Sequence, residues 1–191
     1  TTEKTSLNQG LKAAAKSLQE HPEFLRRCQV DTPTEIVQGV WDMIQGYRSN
    51  IGTVFDPGAG DGRFAASASY EEYTGYELDK SSSAIPDLPD NARIVNKCAF
   101  SSIDEFDLCI GNPPYVRHHD IDASWQEIVA EIVESAANKR ISRLGNAFLY
   151  FMWQGLFRTK PDGMVAMIVP FEWVSRPRAN SLREYIRENK W

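Results

Sequence analysis

The most restrictive feature of this chain is an apolar run that halts at two consecutive prolines. Phe106-Asp107-Leu108-Cys109-Ile110 reads as a buried strand, and it feeds directly into Gly111-Asn112-Pro113-Pro114-Tyr115. Tandem prolines fix two φ angles and remove two amide donors, so neither strand nor helix can run through them. The chain therefore has a strand with a rigid loop at its carboxyl end. Four more short runs, at 51–56, 73–77, 92–96 and 164–169, have strand character. Helical patterns lie between and around them. Thr32-Pro33-Thr34-Glu35 reads as a helix start, with Thr32 capping, Pro33 in the first helical position and Glu35 closing a capping box. Ile36, Val37, Val40, Trp41 and Ile44 form the apolar stripe that follows. A short helix carrying Phe64 and Ala65 is expected after the first strand, then helices over 124–138, 146–158 (stopped near Pro161 and Gly163) and 181–189. Strands alternating with helices imply an α/β fold: a parallel, Rossmann-like sheet covered on both faces.

Composition bounds the answer more than it directs it. With 191 residues, 42% of them hydrophobic and 25% charged, the chain suffices for one domain with a core. Residues 1–30 read as a helical lead-in, with Leu11, Ala14, Ala15 and Leu18 on one face, and 31–191 as the main domain. No apolar run reaches the length of a membrane span, and Thr1 to Gly10 is too polar for a secretory signal. Cys28, Cys98 and Cys109 form no CxxC pair, which fits reduced thiols in a cytoplasmic protein. The net charge of −5 is unfavourable for a surface built to meet phosphate backbones, so any nucleic-acid reading must rest on particular residues.

The first strand runs into Asp56-Pro57-Gly58-Ala59-Gly60-Asp61-Gly62-Arg63. A glycine turn there opens room beside the backbone for a ligand. Arg63 stands where a dinucleotide fingerprint needs its last glycine, and the lysine of a phosphate loop is missing. Asp56 would repel phosphate and suit a cationic amino-acid group, while Glu77 ends the second strand where an acid can accept from ribose hydroxyls. Amino acid, ribose and positive charge together describe S-adenosylmethionine.

In the proline loop, the side-chain oxygen of Asn112 and the carbonyl of Pro113 are paired acceptors for a planar NH2 group. Holding both hydrogens of such an amine turns its lone pair toward an incoming methyl, so the gain comes from alignment and electrostatics rather than a strong base. Tyr115 adds a flat face for a flipped-out base, a contact worth about 1–3 kcal/mol.

Together these segments resemble the gamma class of adenine-N6 DNA methyltransferases of restriction–modification systems. The resemblance runs from Val30 to Asn189 through Thr32-Pro33-Thr34-Glu35, Asp56 to Phe64, Gly75-Tyr76-Glu77-Leu78-Asp79, Gly111 to Tyr115, Gly145 to Leu149, Lys160 to Pro170 and Leu182-Arg183-Glu184. It implies S-adenosylmethionine as cofactor, S-adenosylhomocysteine as product, and double-stranded DNA as partner. It further implies a restriction nuclease, fused or separate, and a bacterial or archaeal cytoplasm. The cofactor residues it implies are Thr32, Asp56, Pro57, Gly58, Gly60, Glu77, Leu78, Ala99, Phe100, Asn112 and Pro114. The catalytic ones are Asn112, Pro113, Pro114 and Tyr115, with Asn112, Tyr115 and Arg117 on the substrate.

Two departures stand out. The family carries an acid at the tip of the third strand, where this chain has Ala99 followed by Phe100, leaving Phe100 to pack on the cofactor's adenine. The sheet is also expected to stop after its fifth strand, without the target-recognition region. His118, His119, Asp120 and Asp122 read as a solvated loop rather than a metal site. Arg176, Arg178, Arg183 and Arg187 read equally as a basic edge or a solvated face, and Trp125, Trp153 and Trp173 as packing. A protein glutamine amide or an RNA amine would suit the same loop, and a non-catalytic cofactor-binding subunit is the third alternative.

Overall fold

The computed structural model describes residues 31–79, 82, 84, 85 and 87–191; the helical lead-in expected over 1–30, and Cys28 within it, lie outside the described residues. Five strands, β1 (Thr53–Asp56), β2 (Glu72–Tyr76), β3 (Ala92–Val95), β4 (Phe106–Gly111) and β5 (Thr159–Met167), form one parallel sheet in the order β3-β2-β1-β4-β5. The chain builds outward from β1 to β3, then returns to the other side of β1 with β4. This reversal is a topological switch point, where the loops leaving two adjacent strands diverge and open a crevice. Here those are the glycine loop and the proline loop.

Four helices are described: α1 (Thr34–Tyr47), α2 (Ala123–Ala137), α3 (Ala147–Arg158) and α4 (Asn180–Glu188). Strand side chains alternate between two cores, as the two-residue period of a strand dictates. Val54, Leu108 and Ile110 join Val37, Trp41 and Ile44 of α1 on one face. Phe55 and Cys109 join Trp125 and Val129 of α2 and Phe148 and Phe151 of α3 on the other. Both faces are covered, as expected. Cys98 and Cys109 are free, buried thiols. Among the described residues no helix is long and apolar enough to cross a membrane.

The structure changes four expectations. The helix start is not a capping box: Pro33 is the cap residue, no side chain bonds to the first turn, and Thr32 points elsewhere. Ile36 is half exposed, so the buried stripe of α1 narrows to Val37, Trp41 and Ile44. The helix expected after the glycine loop is a single 3-10 turn, Ala65–Ser67. Buried Tyr70 donates to the Ala65 carbonyl at 2.6 Å, and β2 begins two residues later, which leaves no length for a helix. Finally, Pro161 and Gly163 do not separate α3 from its strand. Thr159 is already extended and pairs with Phe106, whereas Met164 pairs with Leu108, so the intervening residues bulge out of register. Asp162 takes a left-handed φ of 65°, and the Lys160 ammonium grips Asp107 of β4 at 3.1 Å, anchoring the bulge.

Candidate active site

The two loops at the switch point meet. A Cβ placed on Gly58 would lie 3.6 Å from Pro114 Cδ and 3.8 Å from the Asn112 carbonyl oxygen and Pro113 Cα. A side chain at this position would therefore be in direct contact with the proline loop. Two positions on, Gly60 adopts φ 55° and faces open space. The backbone therefore curls left-handed around an open floor directly beside the Asn-Pro-Pro-Tyr segment.

Asp56, Gly58 and Glu77 shape the glycine loop from within. Asp56 is fully buried; one carboxylate oxygen accepts from Gly58 N at 3.1 Å and the other from the Tyr73 hydroxyl at 2.6 Å. Burial raises its pKa from 3.8 to about 7, although both hydrogen bonds pull the other way. Glu77, just past β2, accepts from Gly60 N at 3.0 Å and from Asp79 N at 2.7 Å, and its partial burial raises its pKa as well. The structure places Asp56, expected beside a ligand's ammonium group, wholly under the turn. A side chain with no exposed surface works beneath the loop, holding its first turn. Glu77 keeps part of its surface at the rim, next to half-buried Leu78, and Pro57 is buried under the turn.

Arg63 fills the place of the missing third glycine and makes a different loop from a dinucleotide site. Its guanidinium forks onto Asp61 at 2.9 and 2.6 Å, reaches Asp31 at 3.3 Å, and donates to the Thr32 carbonyl at 2.6 Å. The glycine loop is thereby tied to the segment before α1. The spacing of Asp61 and Arg63 hinted at this fork, but its tertiary target, Thr32, had no local signal.

Thr32 lands beside the proline loop. Its buried hydroxyl accepts from Asn112 Nδ2 at 3.0 Å across 80 positions of sequence. The hydroxyl of Tyr115 reaches Asn112 Oδ1 and, at 2.8 Å, the carbonyl of Ile168 beyond β5. A hydroxyl carries one hydrogen, so donation to Ile168 leaves the Asn112 oxygen open to another donor. Burial raises the Tyr115 pKa, which keeps that hydrogen in place. The Tyr115 ring meets Phe148 edge-on at 6.2 Å. Asn112 remains half-exposed, and no described group donates to the Pro113 carbonyl. The structure thus brings Thr32, Gly58, Asn112, Pro113, Pro114 and Tyr115 together.

It does not bring Ala99 and Phe100 to the surface. Phe100 is 1% exposed, wedged edge-on against Trp125 and Phe151, and the Ala99 carbonyl accepts from buried Gln154 at 3.1 Å. Phe100, expected to pack on the cofactor's adenine, has its ring in the core under α2 and α3. Arg117 is exposed at the far end of the proline loop. The metal-like residues form a solvated turn, where His119 lies 3.4 Å from Asp120 and Asp122 caps α2 through Trp125 N.

Comparison with known proteins adds a family, relatives and a fold. The family model described as Eco57I restriction-modification methylase matches residues 65–191, a span that includes Glu77 and the proline loop. The Type II methyltransferase M.XamI of Xanthomonas campestris pv. amaranthicola is 30% identical, over 82% of this chain and 32% of its own length. M.HincII of Haemophilus influenzae is 25% identical, over 83% of this chain and 30% of its own length. The chain thus spans about a third of the length of the curated relatives it matches. A crystal structure from Listeria monocytogenes, described as a class I S-adenosylmethionine-dependent methyltransferase, superposes with a TM-score of 0.56 at 17% identity, covering 98% of this chain and 59% of that one. This likeness, with the parallel strand order, shows the fold: a Rossmann-like sheet of the S-adenosylmethionine-dependent methyltransferase type.

Proposed function

The chain belongs to the Eco57I restriction-modification methylase family, and from that premise we propose that it transfers a methyl group from S-adenosylmethionine to the N6 amine of an adenine flipped out of duplex DNA. One observation carries the reading: the floor beside Gly58 and Gly60 lies against an Asn-Pro-Pro-Tyr loop whose asparagine is held by two side chains and still half-exposed. The residues present fit the cofactor. Gly58 and Gly60 leave space that any side chain would fill, and Glu77 offers a carboxylate at the rim for ribose hydroxyls. The Thr32 hydroxyl, already accepting from Asn112, keeps a hydrogen to donate to a carboxylate. When bound, S-adenosylmethionine supplies the electrophilic methyl group.

This chain's residues do the rest by position. Asn112 Oδ1 and the Pro113 carbonyl accept the two hydrogens of the target amine, which makes the nitrogen pyramidal and frees its lone pair. Thr32 fixes which way the Asn112 amide faces, and Tyr115 turns its hydrogen to Ile168 as the substrate amine arrives. Among the described residues no side chain beside Asn112 is poised as a strong base, and the chemistry requires none until the nitrogen has become cationic.

The test uses the full-length protein with labelled cofactor, duplex DNA and, separately, RNA and glutamine-containing protein substrates. Label in DNA recovered as N6-methyladenine is expected. Asn112→Ala is expected to cut that turnover at least about a hundredfold, while calorimetry shows cofactor affinity within a few-fold. Methylated glutamine, methylated RNA or methylcytosine in place of N6-methyladenine would overturn the assignment.

A further inference from the structure

The proline loop runs on past Tyr115 into one wall of a second hollow. Arg117 opens this wall, and the segment after β5 that carries Glu172, Arg176 and Arg178 forms the opposite one, around a cleft of about 730 Å³. Its floor includes Asn146, which ties the two walls together. The Asn146 Oδ1 accepts from His118 N at 3.3 Å, and its amide nitrogen reaches Glu172 at 3.5 Å. Phe148 lines the cleft and also meets the ring of Tyr115. Phe148 therefore stands between the cleft and the Tyr115 ring that reaches Asn112, and Arg117 follows Tyr115 by two residues.

Its charge runs against that of the chain as a whole. The chain carries −5, yet among the described residues three arginines line the cleft against a single carboxylate. That carboxylate, Glu172, makes only a loose pair with Arg176 at 3.6 Å. Arg117 and Arg178 are exposed and have no acidic partner among the described residues. By contrast Arg183, on α4 nearby, is committed to the Trp173 and Arg176 carbonyls at 2.6 and 2.9 Å, so not every arginine of this region is available. Unpaired guanidinium forks on opposite walls suit anions spaced along a strand, since each fork matches the oxygens of a phosphate. A base that reaches Asn112 remains joined to its strand, so its flanking phosphates must lie at the rim of that pocket.

We propose that this cleft seats the DNA backbone beside the target adenine, with Arg117 and Arg178 each holding a phosphate. The proposal rests on the methyltransferase reading above. The experiment measures binding of a labelled duplex to full-length protein by anisotropy across a salt series. It compares the unmodified protein with Arg117→Gln, Arg178→Gln, the double variant, and Arg187→Gln, an exposed arginine outside the cleft. Each cleft substitution is expected to lower the slope of log Kd against log salt by about one. The double variant should lower it by about two, with cofactor affinity and melting temperature retained. Arg187→Gln should leave the slope unchanged. If the unmodified protein methylates DNA but the double variant keeps its slope, or Arg187→Gln lowers it equally, the cleft assignment falls while the activity stands. If the arginine-dependent slope appears with RNA and not with duplex DNA, the cleft assignment also falls. If the unmodified protein methylates no DNA, both fall.

Discussion

The loops after β1 and β4 lie side by side, yet they hold their polar groups in opposite ways. Around the glycine loop the carboxylates are bonded to backbone: Asp56 is fully buried under Gly58 and Tyr73, and Glu77, at the rim, accepts from two backbone amides. Each acid takes one backbone amide of the loop, Gly58 N for Asp56 and Gly60 N for Glu77, and so helps to set its shape. In the proline loop the backbone is already stiff because two φ angles are fixed. Asn112 can therefore stay partly exposed, steadied among the described residues by Thr32 from a distant part of the chain and by neighbouring Tyr115. A flexible glycine turn needs internal anchors, whereas a stiff proline turn can point its functional group outward. Gly111 joins the two arrangements, since a Cβ there would sit 2.6 Å from Asp56 Oδ1.

Three changes would break or sharpen this contrast. Gly111→Ala should have the largest effect, because it clashes with Asp56 and forces a side chain onto a backbone with φ 150°. A loss of about 3 kcal/mol is expected, visible as a fall of several degrees in melting temperature together with loss of methylation. An unchanged melting temperature would show that the two loops are not mechanically joined there.

Asp56→Asn tests whether the inward acid is structural. The carboxyl has its pKa raised from 3.8 to about 7, so the folded state holds the proton more tightly than the unfolded chain. Its stabilising contribution is complete below the lower value and is lost as pH rises through the higher one, at up to about 1.4 kcal/mol per pH unit. Denaturant melts between pH 5 and 8 should show the unmodified protein losing stability relative to Asp56→Asn. Parallel pH profiles would assign the titration to another group.

Thr32→Val should have the smallest effect. It removes the acceptor that orients the Asn112 amide while keeping side-chain volume. A loss of about 1 kcal/mol of alignment is expected, roughly a fivefold fall in kcat, measured beside cofactor affinity. Weakened cofactor binding with unchanged kcat would mean that the hydroxyl serves the cofactor alone.

The residues that end strands and bend loops were legible without coordinates. Pro113, Pro114, Gly58 and Gly60 act through their own covalent geometry, which is the same wherever they stand, so the loops and the alternation of strands and helices follow from local pattern. Strand positions were legible to within a few residues for the same reason, except at Thr159, where pairing with Phe106 and the Lys160–Asp107 contact outweighed the local stop signal of Pro161 and Gly163. Which polar groups reach solvent was not legible. Asp56, Phe100 and Thr32 carry side chains compatible with either side of a surface, and their placement depends on Tyr73, Trp125 and Asn112, each contributed by a remote segment. The amino-acid order alone determined where the chain must turn and which chemistry the turns can present. Tertiary packing decided which of those groups face the crevice and which support it, because burial and hydrogen-bond partnership belong to pairs of residues that only folding brings together.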